Sequence, residues 1–250
     1  MSIPEAIAIV SVGVGAGTIN TVVGSGTLLT FPTLLAFGYP PVVANVSNTV
    51  GLVPGSMSGA YGYRAELAGQ GRRALVLGTA STLGGLTGAV VLLVLPASAF
   101  RAIVPVFIAV ALVLVIVQPR LARLLEARRI PSAHGGRWVT AGLFATGVYG
   151  GYFGAAQGIL ILATLGLGLS ETLQRLNGLK NVLAGLTNLV AGLVFVAAAH
   201  VNWTVALLLA VGSALGGQLG ARIGRRLPPA ALRALIVTVG IAAIVELVTS

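Results

Sequence analysis

The sequence predicts an all-α polytopic membrane protein built from two inverted-topology repeats. Three observations predict this fold: an apolar composition with few charges, a series of apolar segments long enough to cross a bilayer, and internal similarity at a fixed spacing of 132 residues. Each repeat is expected to hold a broken-helix hairpin followed by three transmembrane helices, which gives about 8 to 10 helical segments in all.

Composition alone excludes most soluble classes. Hydrophobic residues make up 56% of the 250 residues and charged residues only 8%, whereas a soluble domain carries about 25% charged residues. Lys and Arg outnumber Asp and Glu by 15 to 5, but they lie in short gaps between apolar runs, where they orient a membrane protein. We therefore expect a multi-pass protein of the cell membrane, the inner or plasma membrane of a prokaryote, with no nucleic-acid partner.

Eight apolar segments follow one another, and the first and fifth are too long for one straight helix. At about 1.5 Å per residue, a helix of about 35 residues would reach about 50 Å, against a hydrocarbon core of about 30 Å. Glycine and polar residues cluster inside both segments, so each is expected to form a hairpin, either re-entrant or made of two short spans. The segments cover residues 3–37, 41–63, 74–95, 102–117, 138–169, 176–199, 203–221 and 232–248.

The internal repeat appears when the chain is aligned with itself at that spacing without gaps. We expect residues 1–118 to form the first repeat, 119–136 a basic cytoplasmic linker and 137–250 the second repeat, together one transmembrane domain. The alignment places Ser81, Gly84, Gly85, Gly88 and Ala89 on Ser213, Gly216, Gly217, Gly220 and Ala221, and Gly15, Gly26, Leu28 and Asn45 on Gly147, Gly158, Leu160 and Asn177.

Counting crossings predicts that the second repeat is inverted. A hairpin returns the chain to the side it entered, so each half makes three net crossings. Only Arg101 then lies clearly outside, in agreement with the positive-inside rule. The arginines expected in the cytoplasm are Arg64, Arg72, Arg73, Arg120, Arg123, Arg128, Arg129, Arg137, Arg175, Arg222, Arg225, Arg226 and Arg233.

The two glycine-rich hairpins, each followed by an Asn-bearing segment, resemble the sulfite exporter TauE/SafE family, also called the toluene sulfonate uptake permease family. The resemblance covers nearly the whole chain and rests on GVGAGTINTVVGSGTLLTFPTLLAFGYPPVVANVSNTV and GVYGGYFGAAQGILILATLGLGLSETLQRLNGLKNVL. It implies a carrier of small sulfur-containing or carbon-based anions, such as sulfite, sulfonates and sulfoacetate. The second copy departs from the first, with Ala156 and Gln157 in place of Gly24 and Ser25.

The helix breaks supply the first candidate binding groups. The free N–H groups at the start of a half-helix form a positive dipole end that suits an anion, and small residues let the backbone approach it. The alternative is that these small residues only allow close helix packing. The candidates are Gly24, Ser25 and Gly26 in the first hairpin and Ala156, Gln157 and Gly158 in the second.

Lys180 is the one basic side chain set well inside an apolar segment. Inserting a lysine near a helix centre costs about 2.5 to 3.5 kcal/mol, so such lysines usually face a cavity or a partner. We expect Lys180 to supply the positive charge of an anion site, with Asn177, Asn181 and Asn188 as neutral donors around it. The alternative is that its amine snorkels to the cytoplasmic face.

The corresponding stretch of the first half is polar but uncharged. It contains Asn45 and residues 47–49, and Asn48 falls on Lys180 in the repeat alignment. These residues either bind the substrate or hydrogen-bond between helices at about 0.6 kcal/mol each. Three residues in the broken stretches are candidates for gating or lining the path: Asn20, Tyr149 and Tyr152.

The predicted function is secondary transport of small anions by alternating access at a midplane site. No Walker-type loop, cysteine or metal-binding cluster is present in the sequence, so we expect no cofactor. A passive anion channel is the alternative, and a membrane-embedded enzyme is less well supported because the few acids lie near segment ends. The expected partners are the small anionic substrate and the membrane lipids. The glycine-rich faces at 84–88 and 216–220 are suited to packing within a chain or between chains, so a homo-oligomer is an open alternative.

Overall fold

The computed structural model describes residues 1–127, 136–223, 234, 236–241 and 244. Nine helices lie within residues 1–223, residues 236–241 are helical as well, and no strand occurs among the described residues, which confirms the all-α class. The helices are α1 (Ile3–Val22), α2 (Thr27–Ala36), α3 (Pro41–Gly62), α4 (Gly71–Val94), α5 (Ala97–Ala127), α6 (Gly136–Tyr152), α7 (Gln157–Gly168), α8 (Leu173–Ala198) and α9 (Trp203–Ile223).

Both long apolar segments break into a long helix and a short one, as predicted. Residues 23–26 separate α1 from α2, and residues 153–156 separate α6 from α7. The 10 residues of α2 and the 12 of α7 extend about 15 and 18 Å, too little to cross a core of about 30 Å. The chain also folds back, because the Tyr39 hydroxyl after α2 donates to Glu5 near the start of α1 at 2.8 Å. The second hairpin folds back likewise, since a Cβ on Gly142 of α6 would lie 2.8 Å from the Thr164 side chain of α7, and both hairpins are therefore interpreted as re-entrant.

Five described helices are long and apolar enough to span a membrane: α1, α4, α5, α8 and α9. The 22 residues of α3 are also long enough, but Asn45, Ser47 and Asn48 lower its hydropathy. Because these three side chains are buried inside the bundle, their polarity does not face lipid. The chain is a multi-pass membrane protein.

The predicted end of the first repeat at residue 118 stays a prediction. The fifth helix continues to Ala127, past the predicted boundary at residue 118, so the predicted linker begins as helix. The remainder of that linker with His134, and most of the last apolar segment, lie outside the described residues. The same holds for Arg128, Arg129, Arg225, Arg226 and Arg233.

The two halves are interlocked, because helices of one half pack on helices of the other. The long helix of the first hairpin, α1, packs mainly on α9, and its repeat counterpart α6 packs mainly on α4. The third helix follows the same rule, since α3 packs on α9 and its counterpart α8 packs on α4. Repeat-equivalent helices thus make equivalent contacts. The orientation of the two halves relative to the membrane stays a prediction.

Glycines allow these crossed pairs to come close. A Cβ on Gly84 of α4 would lie 2.2 Å from the Phe144 carbonyl oxygen of α6, and one on the repeat-equivalent Gly216 of α9 would lie 2.1 Å from that of Val14 in α1. The glycine faces therefore pack within the chain. Any homo-oligomer would have to use another surface.

Basic side chains collect at one end of the bundle, which we call the basic end. There Glu171, between α7 and α8, pairs with Arg73 at 2.8 Å and with Arg175 at 2.7 Å. Burial favours a higher Glu171 pKa, but the hydrogen bonds from both arginines outweigh it and hold the pKa below its ordinary value. The bond between Arg73 and Glu171 links the first half to the second.

Contacts between helices show at which end of the bundle each of the other helices begins or ends. Gly62, at the end of α3, lies against Ala221, which places the end of α9 with Arg222 at the basic end. The start of α5, with Arg101, lies at the opposite end, which we call the Arg101 end. Since α1 runs parallel to α9, with Gly13 beside Gly212 and Thr18 beside Gly220, α1 begins at the Arg101 end.

Candidate functional site

The two helix breaks touch each other through their backbones. The Gly158 amide donates to the Gly24 carbonyl at 3.0 Å. A Cβ on Gly24 would lie 2.5 Å from the Gly158 Cα, and one on Gly158 would lie 2.4 Å from the Gly24 Cα. No larger residue fits at either position, so the glycines are there for a close approach between the halves.

The second break keeps the backbone geometry of the first although its residues differ. Gly24 has φ +89°, and its repeat counterpart Ala156 also takes the left-handed conformation, with φ +57°. This conformation costs a non-glycine residue about 1 to 2 kcal/mol. Ala156 is fully buried, so packing around it maintains a turn that alanine alone would disfavour.

The two short helices differ in how many backbone donors they leave free. At the start of α7, the Gln157 amide donates to the Gly154 carbonyl at 3.2 Å and the Gly158 amide to Gly24. The expectation that both amides would face a ligand is therefore wrong for this conformation. At the start of α2, the amides of residues 25–27 have no acceptor within the described part of the chain. That terminus is the one available to an anion.

Buried polar atoms without partners surround the breaks. Ser25 Oγ and Gln157 Nε2 occupy the same repeat position, and neither has a hydrogen-bond partner in the described chain. The same is true of a second repeat-equivalent pair, Asn45 Oδ1 and Asn177 Oδ1. All four side chains are at most 7% exposed. Buried polar groups are normally paired, so a cluster of unpaired ones indicates a place for water or a ligand.

Lys180 lies at this cluster and is completely buried. Its ammonium donates to the carbonyls of Asn20 at 2.9 Å and Thr21 at 2.8 Å, the last turn of α1. Asn181 Nδ2 reaches the same Thr21 carbonyl at 3.5 Å. The amine therefore does not snorkel to the surface. It places a positive charge against the negative end of the α1 dipole, beside the first break.

The first half has a neutral version of this contact. Asn45 Nδ2 donates to the Tyr152 carbonyl at 3.0 Å, and Tyr152 ends α6 at the repeat position of Asn20. Each long hairpin helix thus ends on a buried donor from the other half, charged in one case and uncharged in the other. The two equivalent contacts therefore differ in charge.

Asn48 and the α2 terminus form the neutral wall. The Asn48 amide accepts a hydrogen bond from Thr30 and donates to Thr27 at 3.4 Å. Both threonines lie in the first turn of α2. Asn48 therefore steadies the helix start whose amides are free.

A cavity of about 70 Å³ lies beside the breaks on their basic-end side. A water occupies about 30 Å³ in the liquid, so the cavity has room for a small anion or two waters. Sequence reasoning missed Gln118, the polar residue that α5 contributes, because one polar residue near a helix end carries no distinctive signal. The lining residues are Val22, Gln118, Leu121, Ile159, Leu162, Leu173 and Asn177.

The remaining candidates divide between the site and its surroundings. Asn20 donates to Ser56 at 3.1 Å, and the Tyr149 hydroxyl donates to the Ala155 carbonyl within the second break. Asn188 lies about two turns beyond Lys180 along α8, so it is not a donor around the amine, contrary to the expectation. The residues that the fold does bring to the breaks are Gly24, Ser25, Gly26, Asn45, Asn48, Gln157, Gly158, Asn177, Lys180 and Asn181.

Comparison with known families gives the site its context. The model of the family described as "Sulfite exporter TauE/SafE" matches residues 9–247. The chain belongs to the TauE/SafE family. Membership confirms the family resemblance of the two hairpins and supports a membrane transporter.

Curated relatives match most of the chain. The protein named "Probable membrane transporter protein YfcA" from Escherichia coli (strain K12) is 25% identical over 198 residues, which is 79% of this chain and 72% of the relative. The protein of the same name from Escherichia coli O157:H7 matches with the same figures. No solved structure matches the chain.

Proposed function

We propose that this TauE/SafE protein is a secondary transporter that carries small anions of the sulfite and sulfonate class by alternating access at the helix breaks. The observation that carries the proposal is the set of unpaired buried polar groups beside Lys180, at the point where the halves touch. A carrier needs one site reachable from two sides, and a contact between two repeats is where such sites lie.

The charge of the site favours an anion. Lys180 is buried with only main-chain carbonyls and no carboxylate as hydrogen-bond acceptors. Of the acids whose side chains are described, Glu5, Glu66 and Glu171 all lie at helix ends or in connections. A buried ammonium without a carboxylate is costly, and an anionic ligand nearby lowers that cost.

The neutral donors favour an oxyanion. The free backbone amides at the start of α2, Ser25 Oγ and the side-chain Nε2 of Gln157 offer several hydrogen bonds to a compact group with several oxygens. Sulfite and the sulfonate head have three such oxygens. The family description names sulfite, which agrees with this chemistry.

These polar groups hold a substrate by hydrogen bonds and charge, so its transport requires no covalent step. The donors Ser25 Oγ and Gln157 Nε2 lie on the two hairpins, so the halves can exchange access by moving around the Gly24–Gly158 contact. A passive channel would need a continuous route. A carrier needs only a site closed on one side at a time.

Counterflow in proteoliposomes tests the proposal. Vesicles loaded with unlabelled sulfite, under anaerobic conditions, should take up labelled sulfite faster than empty vesicles, because exchange returns a loaded carrier. A channel would show no such acceleration, and the absence of any uptake of sulfite, sulfonates or sulfoacetate would refute the anion assignment.

Substitutions at Lys180 separate its charge from its hydrogen bonds. Lys180→Gln keeps a donor and removes the charge, whereas Lys180→Met removes both. If the charge binds the anion, both variants should lose at least about 90% of uptake at low substrate, a loss of tenfold or about 1.4 kcal/mol. Arg101→Gln, which removes a charge at the Arg101 end, should transport normally. Normal uptake by Lys180→Gln would reduce Lys180 to a structural cap of α1.

A further inference from the structure

Six aromatic rings pack together next to the breaks, and the transport site does not use them. They come from α2, α5, α6 and the second break, and neighbouring ring centres lie 5.1 to 6.4 Å apart. Most pairs meet edge to face, which is the favoured arrangement. The ring cluster consists of Phe31, Phe100, Phe107, Tyr149, Tyr152 and Phe153.

Most of the ring cluster lies on the Arg101-end side of the breaks. Phe31 follows the start of α2 by about one turn, and α2 runs back toward the Arg101 end. Phe100 precedes Arg101 near the start of α5. At the other limit, Tyr152 ends α6 and Phe153 begins the second break. Apart from Tyr149, which lies one turn before the second break on its basic-end side, the rings therefore fill the layer between the break site and the Arg101 end.

The rings of this layer are buried and in contact with one another, whereas a cavity lies on the basic-end side of the breaks. Phe31, Phe100 and Phe153 are at most 2% exposed, and Phe31 meets Phe153 at 5.1 Å between ring centres. On the basic-end side of the same breaks lies the cavity with the polar groups of Gln118 and Asn177. A hydrated anion finds no polar group among the packed phenyl rings, whereas the cavity offers it two polar side chains.

We propose that the ring cluster is the gate between the anion site and the Arg101 end, so that this structure is the conformation with access from the basic end only. The inference rests on the proposed transport function. It assigns a role in gating to Phe31, Phe100, Phe107 and Phe153, in addition to the tyrosines that the sequence singles out.

The fifth helix connects the gate to the cavity. Phe100 and Phe107 flank Pro105, and Gln118 and Leu121 flank Pro119. A proline inside a helix removes a backbone hydrogen bond and bends the helix at that point. Because one helix bears rings at one end and a cavity wall at the other, a tilt of α5 that frees the rings would close the cavity.

Thiol accessibility tests the gate without measuring transport. The natural chain has no cysteine, so Ser25→Cys introduces a single thiol at the break. In oriented membrane vesicles, an impermeant methanethiosulfonate reagent is added from one side at a time. Ser98→Cys marks the Arg101 end and Arg72→Cys marks the basic end. With all rings present, Ser25→Cys should react from the basic-end side and not from the Arg101-end side.

Removing the central ring pair should change only the sidedness. In a Phe31→Ala and Phe153→Ala background, Ser25→Cys should react from the Arg101-end side at least about ten times faster than before. Phe195→Ala removes a fully buried ring of α8 outside the ring cluster and should leave the rate unchanged. That control separates a gate from a general loosening of the bundle.

Two results would overturn the gate. One is reaction from the Arg101-end side while all rings are present. The other is no gain in reaction from that side when Phe31 and Phe153 are removed, in a variant whose basic-end reaction shows an intact fold. Neither readout requires sulfite, so a failed anion assay and a failed gate are distinguishable.

Discussion

The amide of Gly158 donates to the carbonyl of Gly24 across 3.0 Å, so the two halves of this membrane protein are joined backbone to backbone at their helix breaks. We expect Gly24→Ala to destabilise the protein by about 3 kcal/mol, because the methyl group would overlap the Gly158 Cα at 2.5 Å and the left-handed backbone would be strained. Melting in detergent and sulfite counterflow measure the effect.

Gly38→Ala is the matched control for that substitution. Gly38 also has a left-handed backbone, with φ +82°, but a Cβ there meets nothing within 4 Å. It should cost only the backbone strain, about 1 to 2 kcal/mol, and keep transport. Equal effects of both substitutions would show that backbone strain, and not the contact between the breaks, causes the loss of stability and transport.

The bond from Asn45 to the Tyr152 carbonyl should contribute to stability. Asn45→Ala leaves a buried carbonyl unpaired at the end of α6, which costs about 1 to 3 kcal/mol. Asn188→Ala, at a half-buried position on α8, should cost less. A melting temperature unchanged by Asn45→Ala would contradict the role given to this contact.

Equivalent glycines of the two repeats should behave alike. Gly84→Ala and Gly216→Ala each place a methyl group about 2 Å from a carbonyl oxygen of the partner helix, so both should lower the melting temperature by similar amounts. Gly192→Ala in α8 meets its nearest atom only at 3.6 Å and should be neutral or slightly stabilising. A large effect of Gly84→Ala alone would argue against equivalent packing.

The ion pairs of Glu171 should make stability depend on pH. Its pKa lies below the ordinary value of 4.5 because hydrogen bonds from Arg73 and Arg175 outweigh the effect of burial. The stabilisation is therefore complete above that ordinary value and is lost as the pH falls through the lowered pKa. Glu171→Gln should melt earlier than the wild type at pH 7, and the difference should shrink on acidification. A constant difference down to pH 3 would exclude this ion pair as its cause.

The helix breaks are a feature that the local sequence predicts. Glycine clusters inside segments too long for one helix predict both hairpins, and the lengths of α2 and α7 then identify them as re-entrant. The repeat alignment pairs Gly24 with Ala156, and the structure gives both a left-handed backbone. Such features depend on residues close together in the chain, so one sequence is enough to predict them.

The hydrogen-bond partners of Lys180 are a feature that the sequence alone does not predict. Its depth in an apolar segment predicts a buried charge, but the acceptors are carbonyls about 160 positions away in α1, and carbonyls leave no trace in residue identity. The paired amides of α7, the distance of Asn188 from the site and the ring cluster depend likewise on how the halves cross.

By itself, the sequence determined that this is a helical membrane protein of two related halves, each opening with a broken helix, since hydropathy, length and glycine placement act locally. Only the tertiary structure decided that α1 packs on α9 and α6 on α4, that the breaks touch at Gly24 and Gly158, and that Lys180 caps α1. The physical reason is that these contacts join groups far apart in the chain, and their geometry is set by the packing of whole helices.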